Sequence, residues 1–337
     1  MSDAYGAAPL DGVDVLLADL DGVVYAGENA IPHAVDALVA AAGGRRVGYL
    51  TNNASRTPQT VAGQLQALGL PAQPDDIVSS PQAAVVLLAD LVPAGSTVLV
   101  VGGDGLTTEV ERAGFRITRS ADDAPAAVVQ GFAPTVAWTD LAEAAFALKG
   151  GDAGIPWVAT NTDWTIPQAR GTAPGNGTLV SAVHTAVGRL PVVAGKPERA
   201  IFDAAVARFD ARRPLFIGDR LDTDILGAVR SGMDSVLVLT GIDGPKQLLA
   251  APHDSRPTYV LADLRGLAQP YPIVRDERDA AGDRRIQVGD AVVLHRGSSL
   301  TLESAGTDID RIRAAAAAVW GAGVPIYALD VAPELYS

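Results

Sequence analysis

Short apolar runs alternate with longer amphipathic stretches over most of this chain. The runs are bounded by glycine, proline and polar residues, as is typical of strands buried in a parallel sheet, and the stretches between them have helical spacing. The predicted strands are Val13–Ala18, Val47–Leu50, Val98–Val101, Val128–Gln130, Trp157–Ala159, Leu215–Ile217 and Val236–Leu239. The clearest predicted helices are Pro32–Ala42, Thr57–Leu68, Trp138–Leu148, Thr178–Val187 and Glu198–Phe209. The pattern predicts an α/β fold.

Three of the predicted strands run directly into polar segments. These segments are DLDG at 19–22, TNN at 51–53 and GDRLDTD at 218–224. Ligands of open α/β sheets bind at the carboxyl ends of strands. We therefore expect a functional site to be assembled from these three segments.

The same pattern indicates that one domain is inserted into another. Residues from about 80 to 190 carry strands and helices of their own, and the sheet that begins before residue 80 resumes near residue 192. We predict a discontinuous core domain over 1–79 and 192–268, and an inserted α/β cap domain over 80–191.

A different texture begins near residue 270, with the charged, proline-bearing segment QPYPIVRDERDAAGDRR. Alternating positions then predict short strands, a helix and a final strand. In order, these are Ile286–Val288, Ala291–Leu294, Leu300–Glu303, the helix Asp308–Trp320 and the strand Val324–Leu329. We predict a small appended ββαβ module over 275–337, and its sequence does not indicate a role.

Composition narrows the function. At about 150 residues per domain, the 337 residues correspond to roughly two domains, and 48% hydrophobic residues suffice for a real core. The formal net charge of −13 disfavours a nucleic-acid partner, since such partners select basic faces. The absence of cysteine excludes disulfides, thiolate metal sites and thiol nucleophiles. The sequence shows no signal-peptide pattern and no apolar run near 20 residues, so we expect a cytoplasmic protein without a membrane span. It leaves open whether the chain forms a homo-oligomer.

The first candidate chemistry is the pair Asp19 and Asp21. Side chains at i and i+2 of an extended segment point the same way, so two carboxylates face one spot, and Gly22 lets the chain turn away. A calcium loop or a simple turn can carry the same string, and that alternative stays open. The preceding apolar strand favours a site at the sheet edge.

Thr51, Asn52 and Lys196 offer groups that suit an anion. A strand that ends in Thr-Asn-Asn presents a hydroxyl, amides and backbone N–H groups, although the same residues are common helix N-caps. Lys196 stands at the start of a predicted helix and is one of three lysines among 26 basic residues. The ordinary alternative for a lysine is an exposed surface charge.

Asp219 and Asp224 add further carboxylates to the predicted site. At about 4 Å and an effective dielectric constant near 20, each pair of like charges costs on the order of 4 kcal/mol. A hard divalent cation that takes oxygen ligands, such as Mg²⁺, would offset that repulsion, and Lys196 can supply a second positive charge.

Taken in order, the segments DLDGV, TNN, GKP and GDRLDTDI resemble the four motifs of the haloacid dehalogenase (HAD) superfamily of aspartate-nucleophile phosphatases. The finer similarity is to the NagD-like, or para-nitrophenylphosphatase, branch, which carries a large α/β (C2-type) cap where this chain has its insertion. GVVYAGENAIPHA, VATNTDWTIP and PGNGTLVSAV are similar to the same branch. The resemblance covers roughly residues 12–265 and implies a Rossmann-like core.

The resemblance also implies roles for the acids. Asp19 would be the nucleophile that forms an aspartyl-phosphate, and Asp21 the general acid and base. Mg²⁺ would be held by Asp19, Asp219 and the backbone carbonyl of Asp21. Asp224 would hydrogen-bond metal-bound water or Lys196.

For the phosphoryl group, the resemblance implies binding by Thr51, Asn52 and Lys196. The candidates in the cap for recognising the leaving group are Asn161, Asp163, Gly175 and Asn176. The ordinary alternative is that Asn161 and Asp163 shape a loop.

The implied activity is that of a phosphoric monoester hydrolase acting on a small metabolite. Similarity to actinobacterial members of the branch points first to glycerol 3-phosphate. The alternative substrates are 2-phosphoglycolate, pyridoxal phosphate, a sugar phosphate and a nucleoside monophosphate. A phosphomutase of the same superfamily is a nearer rival than a receiver-like phosphoacceptor signalling domain, which would lack the large insertion.

Overall fold

The structure is a computed structural model that describes residues 4–168 and 170–337. Its strands are β1 (Val15–Ala18), β2 (Tyr25–Ala26), β3 (Asn29–Ala30), β4 (Arg46–Thr51), β5 (Ile77–Ser79), β6 (Thr97–Val101), β7 (Arg116–Thr118), β8 (Ala127–Gln130), β9 (Trp157–Ala159), β10 (Thr165–Gln168), β11 (Gly171–Pro174), β12 (Val192–Val193), β13 (Pro214–Gly218), β14 (Asp234–Val238), β15 (Tyr259–Leu261), β16 (Arg275–Arg278), β17 (Arg284–Val288), β18 (Ala291–Arg296), β19 (Ser299–Ser304) and β20 (Asp330–Val331).

The α-helices are α1 (Ala34–Ala42), α2 (Pro58–Ala67), α3 (Ser80–Leu91), α4 (Asp104–Arg112), α5 (Trp138–Ala147), α6 (Asn176–Val187), α7 (Arg199–Phe209), α8 (Leu226–Arg230), α9 (Pro245–Leu249) and α10 (Asp308–Trp320). Local sequence explains where several begin. At α2, for example, the Thr57 hydroxyl accepts the backbone N–H of Thr60 at 3.2 Å, and Pro58 occupies the first helical position. None of the helices in the described ranges has both the length and the apolar character needed to cross a membrane.

The chain divides into two compact units. Among the described residues, the first unit comprises 4–26, Ala30–Arg45 and Arg213–Ser337, and the second comprises Gly27–Asn29 and Arg46–Arg212. The predicted ranges of the core, cap and appended module stay predictions.

A parallel sheet in the order β15-β14-β13-β1 forms the centre of the first unit. In the register of β1 and β13, Ala18 lies beside Ile217, so the residues that follow the two strands are neighbours. Strand β1 is buried along its whole length, which explains its unbroken apolar run. This sheet brings the carboxyl ends of β1, β13 and β14 to one edge.

The second unit contains the parallel sheet β12-β9-β8-β6-β7 and the parallel pair β4-β5. On one face of the larger sheet, α5 and α6 close a core that includes Leu99, Val128, Trp157 and Val183. Polar residues follow the carboxyl ends of β4, β9 and β12 in this unit.

The C-terminal residues form a third sheet, β16-β17-β18-β19-β20, with α10 packed against β17 and β18. It belongs to the first unit and is not detached from it. Ile286, Val293 and Ala315 share one hydrophobic core with Leu221 and Ile225, which lie just beyond β13.

Two details of this module differ from the sequence prediction. The predicted strand Val324–Leu329 is wrong: Ile326–Ala328 form a single 3₁₀ turn after Pro325, and the strand is the short β20 beside β19. A further strand, β16, lies in the charged segment, where no strand was predicted. Its four residues are all charged and exposed, as suits the edge of a sheet.

The predicted α/β class is confirmed. The seven predicted strands and five predicted helices of residues 13–239 are all present, with ends that move by no more than two residues.

Candidate active site

Three carboxylates meet at the edge of the sheet in the first unit. Asp19 follows β1, Asp219 follows β13, and Asp224 lies in the π-helical turn Leu221–Ile225. One oxygen from each carboxylate lies within 4.8 Å of the others. The exposed fractions of the three residues are 8%, 1% and 0%. The structure thus brings together three of the predicted acids.

Backbone N–H groups hold two of these carboxylates in place. The Asp224 Oδ2 atom accepts the N–H groups of Asp219 and Arg220, each at 3.2 Å. The Asp219 Oδ2 atom accepts the Ile242 N–H at 2.8 Å. These dipoles offset only part of the repulsion between three buried like charges, so the cluster is suited to a cation.

Two glycines pack closely on the Asp219 carboxylate. Gly22 has a φ of +84°, and a Cβ atom there would lie 2.2 Å from Asp219 Oδ2. A Cβ atom at Gly241 would lie 2.0 Å from the same oxygen. Backbone therefore closes on this carboxylate from two sides. Carboxylate oxygens are the ligands that Mg²⁺ prefers, and the residues present fit that ion.

Asp21 and Asp222 differ from these three carboxylates because both are exposed. Asp21 is exposed, at a turn where the Gly22 N–H donates to the Tyr25 carbonyl at 2.9 Å. Asp222 is exposed and accepts two hydrogen bonds from the guanidinium of Arg220, at 3.0 and 2.8 Å. Asp21 is thus open to solvent, as a group that exchanges protons with water must be.

Three residues beside the acids were missed by sequence reasoning. The Thr240 hydroxyl donates to the Gly22 carbonyl at 2.8 Å, Gly241 packs on Asp219, and the Asp243 carboxylate accepts the Leu221 N–H at 2.6 Å. Burial raises the pKa of Asp243 above its ordinary value. All three follow β14, so the rule that polar residues at strand ends form sites could have found them.

The predicted phosphate-binding residues lie in the second unit. Thr51, Asn52 and Lys196 are all buried, and only 4% of Lys196 is exposed. The Thr51 hydroxyl accepts the Asn53 N–H at 3.1 Å. Asn52 bonds the backbone of Lys196 on both sides: its Oδ1 accepts the lysine N–H at 2.9 Å, and its Nδ2 donates to the lysine carbonyl at 3.1 Å. Lys196 is therefore not the exposed surface charge of the ordinary alternative.

The cap candidates lie beside these residues. Asn161 donates from Nδ2 to the Asn52 carbonyl at 2.7 Å, and Asn176 donates from Nδ2 to the Asn161 carbonyl at 2.7 Å. The Asp163 carboxylate accepts the Asn52 Nδ2 at 3.1 Å. A Cβ atom at Gly175 would lie 2.2 Å from the Asp163 carbonyl oxygen. The two asparagine amides thus bond backbone, and Gly175 permits close packing of two segments.

Comparison with known families gives two matches along the chain. Residues 16–116 match the family of haloacid dehalogenase-like hydrolases, and residues 193–267 match the family described as HAD-hydrolase-like. Between the two matched ranges lies most of the predicted cap.

Two curated relatives are similar over most of the chain. D-glycerol 3-phosphate phosphatase of Mycobacterium tuberculosis is 43% identical over 309 residues, which span 92% of this chain and 86% of the relative. Glycerol-3-phosphate phosphatase of Gallus gallus is 38% identical over 258 residues, which span 70% of this chain and 82% of the relative.

Solved structures agree with the sequence relatives. The glycerol phosphate phosphatase of M. tuberculosis in complex with magnesium has a TM-score of 0.86 and 40% identity, with 98% of this chain and 96% of that chain covered. The p-nitrophenyl phosphatase of Archaeoglobus fulgidus has a TM-score of 0.69 and 26% identity, with 76% of this chain and 98% of that chain covered. The resemblance drawn from the four motifs is confirmed.

Proposed function

This chain belongs to the haloacid dehalogenase-like hydrolases, and we propose that it is a Mg²⁺-dependent phosphatase whose substrate is glycerol 3-phosphate. The observation that carries the proposal is the buried cluster of Asp19, Asp219 and Asp224 at one sheet edge. Carboxylates this close together repel one another, and a bound cation would offset that repulsion. With the cation in place, the cluster could hold an anionic phosphoryl group.

Asp19 and Asp21 divide the chemistry between them. The Asp19 carboxylate attacks phosphorus while the bond from phosphorus to the ester oxygen breaks, and Asp21 protonates the departing alcohol. Asp21 then removes a proton from water, which attacks the aspartyl-phosphate and releases inorganic phosphate and free Asp19. Burial of Asp19 and exposure of Asp21 support this division, because the nucleophile is shielded and the proton carrier reaches solvent.

Asp19, Asp219 and the backbone carbonyl of Asp21 would hold Mg²⁺, and Asp224 would support them through hydrogen bonds. When bound, the ion supplies positive charge that keeps Asp19 ionised and offsets the charge of the phosphoryl oxygens. The close approach of Gly22 and Gly241 to Asp219 supports this assignment, since both glycines confine that carboxylate.

Thr51, Asn52 and Lys196 act on the phosphoryl group in this proposal. A buried ammonium with a restrained backbone suits this task, since it reduces the repulsion between a carboxylate nucleophile and a phosphate dianion. Asp163, Asn161, Gly175 and Asn176 remain candidates for recognising the leaving group.

Two relatives support the choice of glycerol 3-phosphate, since both are named as phosphatases of that ester. The match covers more than four fifths of the length of each relative. A cytoplasmic location and the lack of a nucleic-acid partner remain predictions from the sequence, which leaves open whether the chain forms a homo-oligomer.

The test is phosphate release from a panel of phosphomonoesters. The panel contains both enantiomers of glycerol 3-phosphate, 2-phosphoglycolate, pyridoxal phosphate, sugar phosphates and nucleoside monophosphates, each assayed with Mg²⁺ and with a chelator. We expect many turnovers with Mg²⁺, the highest kcat/KM for a glycerol 3-phosphate, and loss of activity with chelator that added Mg²⁺ restores.

Each part of the proposal can fail separately. A better substrate elsewhere in the panel would replace glycerol 3-phosphate but keep the phosphatase. Transfer to a second sugar phosphate would indicate a phosphomutase, and stable protein phosphorylation without turnover would indicate a phosphoacceptor domain. No Mg²⁺-dependent release from any ester would refute the enzyme.

A further inference from the structure

Both N–H donors of the Asn52 side chain are already used in hydrogen bonds within the protein. A primary amide has two N–H donors. One donates to the Lys196 carbonyl and the other to the Asp163 carboxylate, both at 3.1 Å, while Oδ1 accepts the Lys196 N–H at 2.9 Å. Only 9% of Asn52 is exposed. A direct contact from this amide to a phosphoryl oxygen would require one of those bonds to break.

The Asn52 amide bonds Lys196 as the backbone of a neighbouring strand would. The amide engages both the N–H and the C=O of one residue, so it fixes the backbone of Lys196 in position and direction. The ammonium lies at the end of a flexible four-carbon stem, and fixing its root reduces the positions that it can reach. A Cβ atom at Gly195 would lie 2.5 Å from Asn52 Oδ1, so the glycine allows this approach.

Asn52 is itself held from behind. Its carbonyl oxygen accepts the Ser80 hydroxyl at 2.8 Å and the Asn161 Nδ2 at 2.7 Å. Asn161 is supported in turn by Asn176, whose Nδ2 donates to the Asn161 carbonyl. Three buried amides in series therefore end at the backbone of Lys196.

We propose that the Asn52 side chain is a positioning residue for Lys196 and does not bind the substrate itself. This inference rests on the proposed function, because it assumes that the Lys196 ammonium serves the phosphoryl group. Any contact of Asn52 with phosphate would then come from its backbone. Asn161 and Asn176 extend the same support, since the Nδ2 group of each donates to a backbone carbonyl.

A double-mutant cycle tests the dependence on Lys196. We expect Asn52→Ala to lower kcat/KM about 10- to 100-fold, as displacement of a catalytic group does. In a Lys196→Ala background, the same change should cost less than about 3-fold, because the residue it positions is gone. An undiminished loss in that background would overturn the proposal and indicate an independent contact with substrate.

Asn53→Ala is the matched control, since Asn53 is the neighbouring asparagine and bonds Ser55, at 2.9 and 2.8 Å, and not Lys196. Its effect on kcat/KM should stay well below that of Asn52→Ala. If Asn52→Ala does not fold, Asn52→Leu keeps about the size of the side chain, removes its donors and its acceptor without adding charge, and enters the same cycle.

A spectroscopic measurement tests the positioning without substrate. The chain has three lysines, so protein labelled with ¹³C at lysine Cε gives three signals, and Lys196→Arg identifies that of Lys196. Asn52→Ala should move or broaden this signal, and Asn53→Ala should not. An unchanged Lys196 signal in folded Asn52→Ala would overturn the inference. Failure of the proposed function would appear differently, as an unaltered protein that releases no phosphate.

Discussion

The two polar clusters of this molecule hold charge in opposite ways. In the first unit, three buried carboxylates lie together, and two of them, Asp219 and Asp224, accept backbone N–H groups that follow β13 and β14. In the second unit, the buried side chain of Lys196 carries the positive charge, and the neutral amide of Asn52 holds the lysine backbone.

This difference teaches what each cluster requires. The carboxylates repel one another, so their cluster is completed by a cation from outside the chain, and neutralising one acid relieves repulsion. The lysine carries its own charge, and its placement depends on packing and hydrogen bonds. Variants of the acids should therefore lose function while keeping the fold. Variants around the lysine should leave its ammonium group less well positioned.

The largest effect is expected at the acid cluster. Asp19→Asn keeps the volume of the side chain but removes the nucleophile, so kcat should fall by at least about 10⁴-fold, in the range found when other hydrolases lose theirs. Circular dichroism and melting should show an intact fold. The control is Asp222→Asn, an exposed acid bonded to Arg220, which should keep nearly full activity. Full turnover by Asp19→Asn would remove the assignment of the nucleophile.

A smaller loss is expected at the lysine. Lys196→Met keeps the stem and removes the charge, and the loss of one electrostatic stabiliser should lower kcat by about 10²- to 10³-fold. Lys149→Met, at an exposed lysine of the same unit, should have no effect beyond assay error. Equal activity of the two variants would show that the ammonium takes no part in catalysis and would end the comparison between the clusters.

Next in size is the effect of crowding the acid cluster without changing its charge. At Gly241→Ala the added methyl group would lie 2.0 Å from Asp219 Oδ2, so the carboxylate must move. We expect half-maximal activation to need about 10-fold more Mg²⁺, the effect typical of disturbed support around a metal ligand. At Gly244→Ala the nearest atom would be 3.6 Å away, and Mg²⁺ activation should not change. Unaltered Mg²⁺ dependence in Gly241→Ala would argue against Asp219 as a ligand.

Much of the fold could be predicted because strands buried in a parallel sheet consist of continuous apolar residues. The prediction failed where that relation fails. β16 is an exposed edge strand made only of charged residues, and Val324–Leu329 is apolar but contains Pro325, which favours a turn.

The site was predictable to the extent that its chemistry lies in short segments. The acids of 19–22 and 218–224 could be found from their strand ends. Thr240, Gly241 and Asp243 also follow a predicted strand, but only the strand order shows that this strand, β14, is the neighbour of β13. Polar residue types at 161 and 176 were visible, but the sequence does not show that their Nδ2 groups bond backbone.

The smallest effect concerns the burial of a further acid, Asp243, beside the acid cluster in the absence of metal. Burial raises the pKa of Asp243, so the folded protein binds its proton more readily than the unfolded chain, and stability is lost as the pH rises above the ordinary aspartate pKa. Asp243→Asn can still accept the Leu221 N–H and carries no charge, so in chelator at pH 7 its Tm should exceed that of the unaltered protein by about 1 °C. The difference should shrink as the pH falls below about 4, because Asp243 then becomes protonated in the unfolded chain as well as in the folded protein. Asp254→Asn, at an exposed acid, is the control and should show no such trend in melting curves. A lower Tm for Asp243→Asn at pH 7 would mean that the Asp243 charge stabilises the loop, and it would contradict the expected cost of burying that charge.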